Sequence, residues 1–233
     1  MTCRKLFATW VALGIATLSA ASHAAEHPAV ARDMAGVWLP DSRRSGRPPQ
    51  EWPLRPEAAA TRDRYRQLHG PIDPTVDDAN ASCIPEPMPY PVRLFAQYPF
   101  EILFTPDRMT MFFEIYGSVR RIPVGAPRGA ALEALPTPMG RSRGHWEGDT
   151  LVVETSAFAP GVLNADSRIL HGTRLRITER FEFDPATRKL TRRFEATDPE
   201  YFEDVWRGTD VVLPADIAYS PYRCKDPGGA PAR

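Results

Sequence analysis

The sequence predicts a mainly β protein, an antiparallel meander closing into a barrel or sandwich, with one peripheral helix near its N-terminus. Three observations lead there. Short runs rich in Phe, Ile, Val and Thr follow one another from Phe100 onward, separated by turn residues and not by helical stretches. Within the longer runs apolar and polar residues alternate, the period of a strand with one buried face. After an N-terminal leader is set aside, about 209 of the 233 residues remain, a length that one β barrel or sandwich commonly occupies.

The leader comes first in the chain. Arg4 and Lys5 form a short positive region, Leu6 to Ala21 is apolar with only small or weakly polar interruptions, and Ser22-His23-Ala24 supplies small residues for a signal peptidase. The expected cut follows Ala24 or Ala25. The apolar run falls short of the ~20 residues of a spanning helix, and no other segment is long and apolar enough to cross a bilayer. Residues 1–24 are therefore read as a signal peptide, and 25–233 as a single β domain with a helical, proline-rich N-terminal arm. The expected location is periplasmic or secreted.

Met34 to Leu39 reads as a first strand, and the stretch from Pro40 to Pro56 is polar and rich in proline. Pro56 opens a helix through about Leu68, because proline suits the first helical position and the alanine run favours helix. Gly70-Pro71 ends it. A loop dense in Pro, Asp and Asn runs from Ile72 to Pro99. Strands are then expected at Phe100–Thr105, Met109–Tyr116, Val119–Val124, Gly144–Trp146, Thr150–Thr155, Leu175–Phe183, Lys189–Thr197 and, more weakly, Val205–Leu213.

The chain carries 29 basic and 29 acidic residues, so no net field draws it to nucleic acid or an anionic membrane. Beyond the leader only Cys83 and Cys224 remain, and two cysteines in an oxidising compartment most simply pair. Closing so long a loop stabilises by roughly 5 kcal/mol in the chain-entropy treatment.

Alternation also exposes the candidate site. In Leu175–Phe183, Glu179 points the same way as Leu175, Ile177, Phe181 and Phe183, while Arg174, Arg176 and Arg180 point the other way. Arg120 shares its face with Ile122 and Val124, and Arg192 with Leu190, Phe194 and Ala196. Glu114 shares a face with Phe112 in a strand apolar on both sides. A lone buried charge is costly, so Glu179, Arg120 and Arg192 are expected to meet. They would form a polar cluster at the bottom of a cavity or an internal ion pair that sets strand register.

Other motifs carry less. His145, Glu147 and Asp149 alternate as metal ligands would on a continuous strand, but Glu147-Gly148-Asp149 is itself a hairpin turn pattern that breaks the shared face. No metal site is read there. Ser142 lies in a G-x-S-x-G string, which needs a strand–turn–helix in a parallel α/β sheet to act as a nucleophile, a context missing here. Dinucleotide and P-loop fingerprints are absent, and no cofactor is expected. His171, just ahead of the Glu179 strand, is read as a loop histidine able to act with a carboxylate below it.

Gly36-Val37-Trp38, at the head of the first strand, resembles the G-x-W that opens lipocalin-like (calycin) barrels. A second resemblance covers more of the chain. Tyr98-Pro99-Phe100-Glu101-Ile102, the stretch Arg143 to Glu154 and Thr178-Glu179-Arg180-Phe181 are similar to segments of a group of uncharacterised exported bacterial proteins, over roughly Gly36 to Cys224. That group usually has Arg at the position of His145, which counts further against a metal role. The resemblance implies export and one β domain, and carries over no functional residue.

The expectation is a lipocalin-like barrel that binds a small, largely apolar molecule carrying one polar or anionic group. Arg120 and Arg192 would orient that group, Glu179 would set their geometry, and Phe112, Glu114, Trp146, Phe181 and Phe194 would line the site. The alternative is a cofactor-independent isomerase, lyase or hydrolase on the same barrel, with Glu179 as general acid or base and His171 as proton shuttle.

Overall fold

The computed structural model describes residues 27–41, 43–44, 51–70, 98–114, 117–125, 135–164 and 168–220. The leader expected over residues 1–24 and the expected Cys83–Cys224 pairing lie outside them.

Most alternating patterns become strands as expected, with shifted ends, and two short strands between residues 161 and 171 arise where none was expected. They are β1 (Gly36–Pro40), β2 (Phe100–Thr105), β3 (Arg108–Phe113), β4 (Val119–Pro123), β5 (Arg141–Glu147), β6 (Thr150–Ser156), β7 (Gly161–Asn164), β8 (Ile169–His171), β9 (Arg176–Asp184), β10 (Lys189–Thr197) and β11 (Trp206–Pro214). The expected helix is α2 (Pro56–His69), with proline in its first turn and Gly70 closing it at a φ of 68°. A short helix, α1 (Val30–Met34), precedes β1 and takes Met34, where the sequence had placed the start of the first strand.

Nine strands form one antiparallel sheet in the order β4-β3-β2-β1-β11-β10-β9-β6-β5. Local hairpins build most of it. β5 and β6 meet at a two-residue turn with Glu147 opposite Thr150 and Gly148 at a φ of 60°, which a residue with a Cβ adopts only at a cost. The remaining pairings are long-range: β1 joins β2 to β11, and β6 joins β9. The small β7–β8 hairpin stands apart from the main sheet, and α2 packs on β8.

The two outer strands, β4 and β5, curl together and nearly close the sheet into a barrel. One parallel bridge, Val124 with Gly144, joins them, and the Gly125 N–H donates to the Gly144 carbonyl at 3.0 Å. Gly144 permits that approach, since a Cβ there would lie 3.2 Å from Val124 and 3.3 Å from Leu151. Inside, Phe100, Ile102, Met109, Met111, Phe113, Ile122, Phe181 and Phe194 form a continuous apolar core. Trp38, the residue of the G-x-W pattern, is buried and donates from Nε1 to the Met34 carbonyl at 3.0 Å. That bond ties α1 to β1, and α1 packs on both β2 and β9, strands four apart in the sheet.

Candidate functional site

β9 carries the residue on which the interior turns. Its side chains alternate, with Ile177, Glu179 and Phe181 inward and Arg176 and Arg180 outward, so the strand's own period puts a carboxylate in the core. Glu179 is fully buried. Two arginines meet it, Arg120 from β4 and Arg192 from β10, each buried as well. Arg120 grips both carboxylate oxygens, donating from Nη1 to Oε1 at 3.1 Å and from Nη2 to Oε2. Arg192 donates from Nη1 to Oε1 at 3.2 Å.

Three further residues complete the cluster. Asp210, on β11 directly across from Arg192, takes the other side of that guanidinium: Nε donates to Oδ2 at 3.1 Å and Nη2 donates to the same oxygen. On the β4 side, Arg120 donates from Nε to Ser142 Oγ at 3.1 Å and from Nη2 to Thr155 Oγ1 at 2.9 Å. The two hydroxyls are 2.9 Å apart. The result is a polar chain across the interior through β5, β6, β4, β9, β10 and β11. Among the described residues two guanidinium groups face two carboxylates, so their charges balance.

Charges so deep are stable only when each is matched, because desolvation of an unpaired ion outweighs any packing gain. One atom escapes the matching. Asp210 Oδ1 is buried and has no hydrogen-bond partner among the described residues, and both bonds from Arg192 to this residue fall on Oδ2.

The sequence reading missed Asp210, although the signal was there: Asp210 has the parity of Trp206 and Val212, both buried. It also assigned Ser142 and Thr155 no part in the cluster, because short hydroxyls do not interrupt an apolar pattern. Ser142 stands on the strand β5 and not at a strand–turn–helix junction.

Phe181 and Phe194 lie in the core, and the Arg192 guanidinium rests over the Phe194 ring at 5.2 Å. Trp146 is half-buried against Phe104, and its Nε1 donates to His27 Nδ1 at 3.1 Å. His27 in turn donates from Nε2 to the Thr105 carbonyl at 2.6 Å, which seats the residues ahead of α1 on the ends of β2 and β5.

Phe112 and Glu114 fall elsewhere. Met109, Met111 and Phe113 are the buried residues of β3, so Phe112 faces outward, where its ring lies 6.2 Å from Tyr219. β3 ends at Phe113, short of the expected Tyr116, and Glu114 continues the outer face. Burial raises the Tyr219 phenol above its ordinary pKa, with Glu114 and Glu101 adding to the effect. Both residues are corrected to the outer surface, the face of β3 that also carries Arg108 and Thr110.

His171 is corrected too. It ends β8, a buried strand residue and not a loop histidine, with Nδ1 3.1 Å from the Gly172 carbonyl and its ring edge-on to Phe158. Burial pushes its pKa below the ordinary value, against the Gly172 bond and the charge of Asp198. Its partners belong to this end of the molecule, while the Glu179 oxygens are engaged by arginines. His145 and Glu147 lie on the outer face of β5. Glu147 accepts from Arg180 at 2.7 Å and pairs with His145 at 3.2 Å, and these bonds hold its carboxyl below the usual range.

No family model and no curated protein sequence matches the chain. Among solved structures it is similar to a protein described as "REP1-NXSQ fatty acid transporter", at 12% identity over 80% of this chain and 99% of that one, with a TM-score of 0.38. A mutant of that transporter gives 13% identity over 79% and 99%, with a TM-score of 0.37. Likenesses this distant carry no inference about function.

Proposed function

We propose that this protein is an exported barrel that binds a small, largely apolar molecule, holding its one polar group at the Arg120–Glu179–Arg192–Asp210 cluster. The observation that carries the reading is a set of four charged side chains sunk among aromatic and aliphatic core residues, with one of their polar atoms unpartnered among the described residues. Apolar walls with a few converging polar groups are the common make-up of small-molecule sites. The cluster also lies beside the weakest line of the barrel. Arg120 and Ser142 belong to β4 and β5, where a bridge and side-chain bonds stand in for a full backbone ladder. Opening that seam would lead to the polar chain. Residues 1–24 support export, because their charge, apolar run and small residues suit a signal peptidase.

The engaged state of Glu179 favours binding over proton transfer. Its oxygens accept three guanidinium bonds, so it serves as a counter-ion. The test is native mass spectrometry of protein purified from its own periplasm, with solvent extraction of whatever it holds. A defined adduct of about a few hundred daltons that is lost in Arg120→Ala and kept in Arg176→Ala is expected. Arg176 faces outward, so equal loss in both variants would sink the reading.

A further inference from the structure

We infer that the polar group this barrel accepts is a hydrogen-bond donor, the hydroxyl of an alcohol, and not a carboxylate. The inference rests on the binding reading above and names the ligand class it takes. Two features of the cluster decide it. The first is charge: Arg120 and Arg192 are matched by Glu179 and Asp210. An anion entering beside them finds no uncompensated cation and adds one unit of buried negative charge. The second is the kind of atom left over. Asp210 is 0% exposed and its Oδ1 has no partner among the described residues, and a carboxylate oxygen can only accept.

Geometry explains why that oxygen is left over. A two-bond guanidinium–carboxylate pair uses both oxygens, and Arg120 meets Glu179 in that way through Nη1 and Nη2. Arg192 instead places Nε and Nη2 on the same oxygen of Asp210, while its Nη1 donates to Glu179 Oε1. With both bonds on Oδ2, Oδ1 stands outside the ion pair. A buried acceptor without a donor is costly, and a hydroxyl removes that cost without importing charge. An ammonium group would also donate, but stripping its water costs far more than one hydrogen bond returns.

The probes are dodecan-1-ol and dodecanoate, equal in chain length, titrated into the mature full-length protein at pH 8, where the acid is ionised. Binding is read from quenching of tryptophan fluorescence and checked by native mass spectrometry. The alcohol is expected to bind at least about tenfold more tightly, as a site built around an unpaired acceptor discriminates by its unmet hydrogen bond. In Asp210→Asn the preference should shrink or reverse, because the amide offers N–H donors and the cluster gains a net positive charge. Should that variant fail to fold, the ratio in the unmodified protein still decides. Equal affinities, or tighter binding of dodecanoate, would overturn the inference and leave the binding reading standing. Binding of neither probe would overturn both.

Discussion

Glu179 and Arg180 are neighbours in β9, yet they live in different media. Glu179 lies in the core between two buried arginines, whereas Arg180 crosses the outer face to Glu147 at 2.7 Å with both side chains nearly half exposed. Both are guanidinium–carboxylate contacts of similar length. Water separates their consequences. Outside, solvent screens the pair and solvates either partner when the other is removed, so the contact contributes little. Inside, each charge depends wholly on its partners, and loss of one strands the rest in a medium that cannot solvate them. One strand thus carries both a cluster that governs the interior and a decoration of the surface.

The widest gap should appear on truncation. Glu179→Ala leaves two guanidinium groups with one carboxylate, and is expected to cost about 3–5 kcal/mol in chemical denaturation. Arg180→Ala should leave the denaturation midpoint within error of the unmodified protein. Comparable losses in the two variants would break the contrast between faces.

A smaller effect tests the seam beside the cluster. Gly144→Val places atoms against Val124, Ile122 and Leu151, all within 3.4 Å of even a Cβ, and overpacking of this kind costs about 1–3 kcal/mol. A variant as stable as the unmodified protein would mean that β4 and β5 are not held together there.

The smallest expected effect is a slope. Burial lowers the proton affinity of His171 in the folded state, so the unfolded chain binds the extra proton first. Its contribution to stability is complete above the ordinary histidine pKa of about 6.5, and is lost as pH falls from there through the folded value. His171→Gln should flatten that part of the profile of stability against pH. An unchanged slope would show that the histidine is not buried as a neutral ring.

Much of this was legible because alternation is local. Glu179, Arg120 and Arg192 each break an apolar face, and a charge among large apolar side chains is visible without knowing what lies opposite. Asp210 followed the same rule, in a strand whose polar residues obscured it. Phe112 went the other way: a large aromatic stands on the face of Thr110 and Glu114, while the buried face is that of Met109, Met111 and Phe113. His171 escaped because β7 and β8 are four and three residues long, too short for a period to show.

The sequence by itself determined that the domain is β, where most strands run, and which side chains share a face, since a strand's pleat sets its faces two residues at a time. Only the tertiary structure decided who meets whom. Arg120 and Glu179 stand 59 positions apart and meet because the barrel curls β4 back toward β5, next to β6 and β9. That closure depends on long-range pairing and on the absence of a side chain at Gly144. The unpartnered oxygen of Asp210 is more remote still, since it depends on how the Arg192 guanidinium sits against a carboxylate on the neighbouring strand.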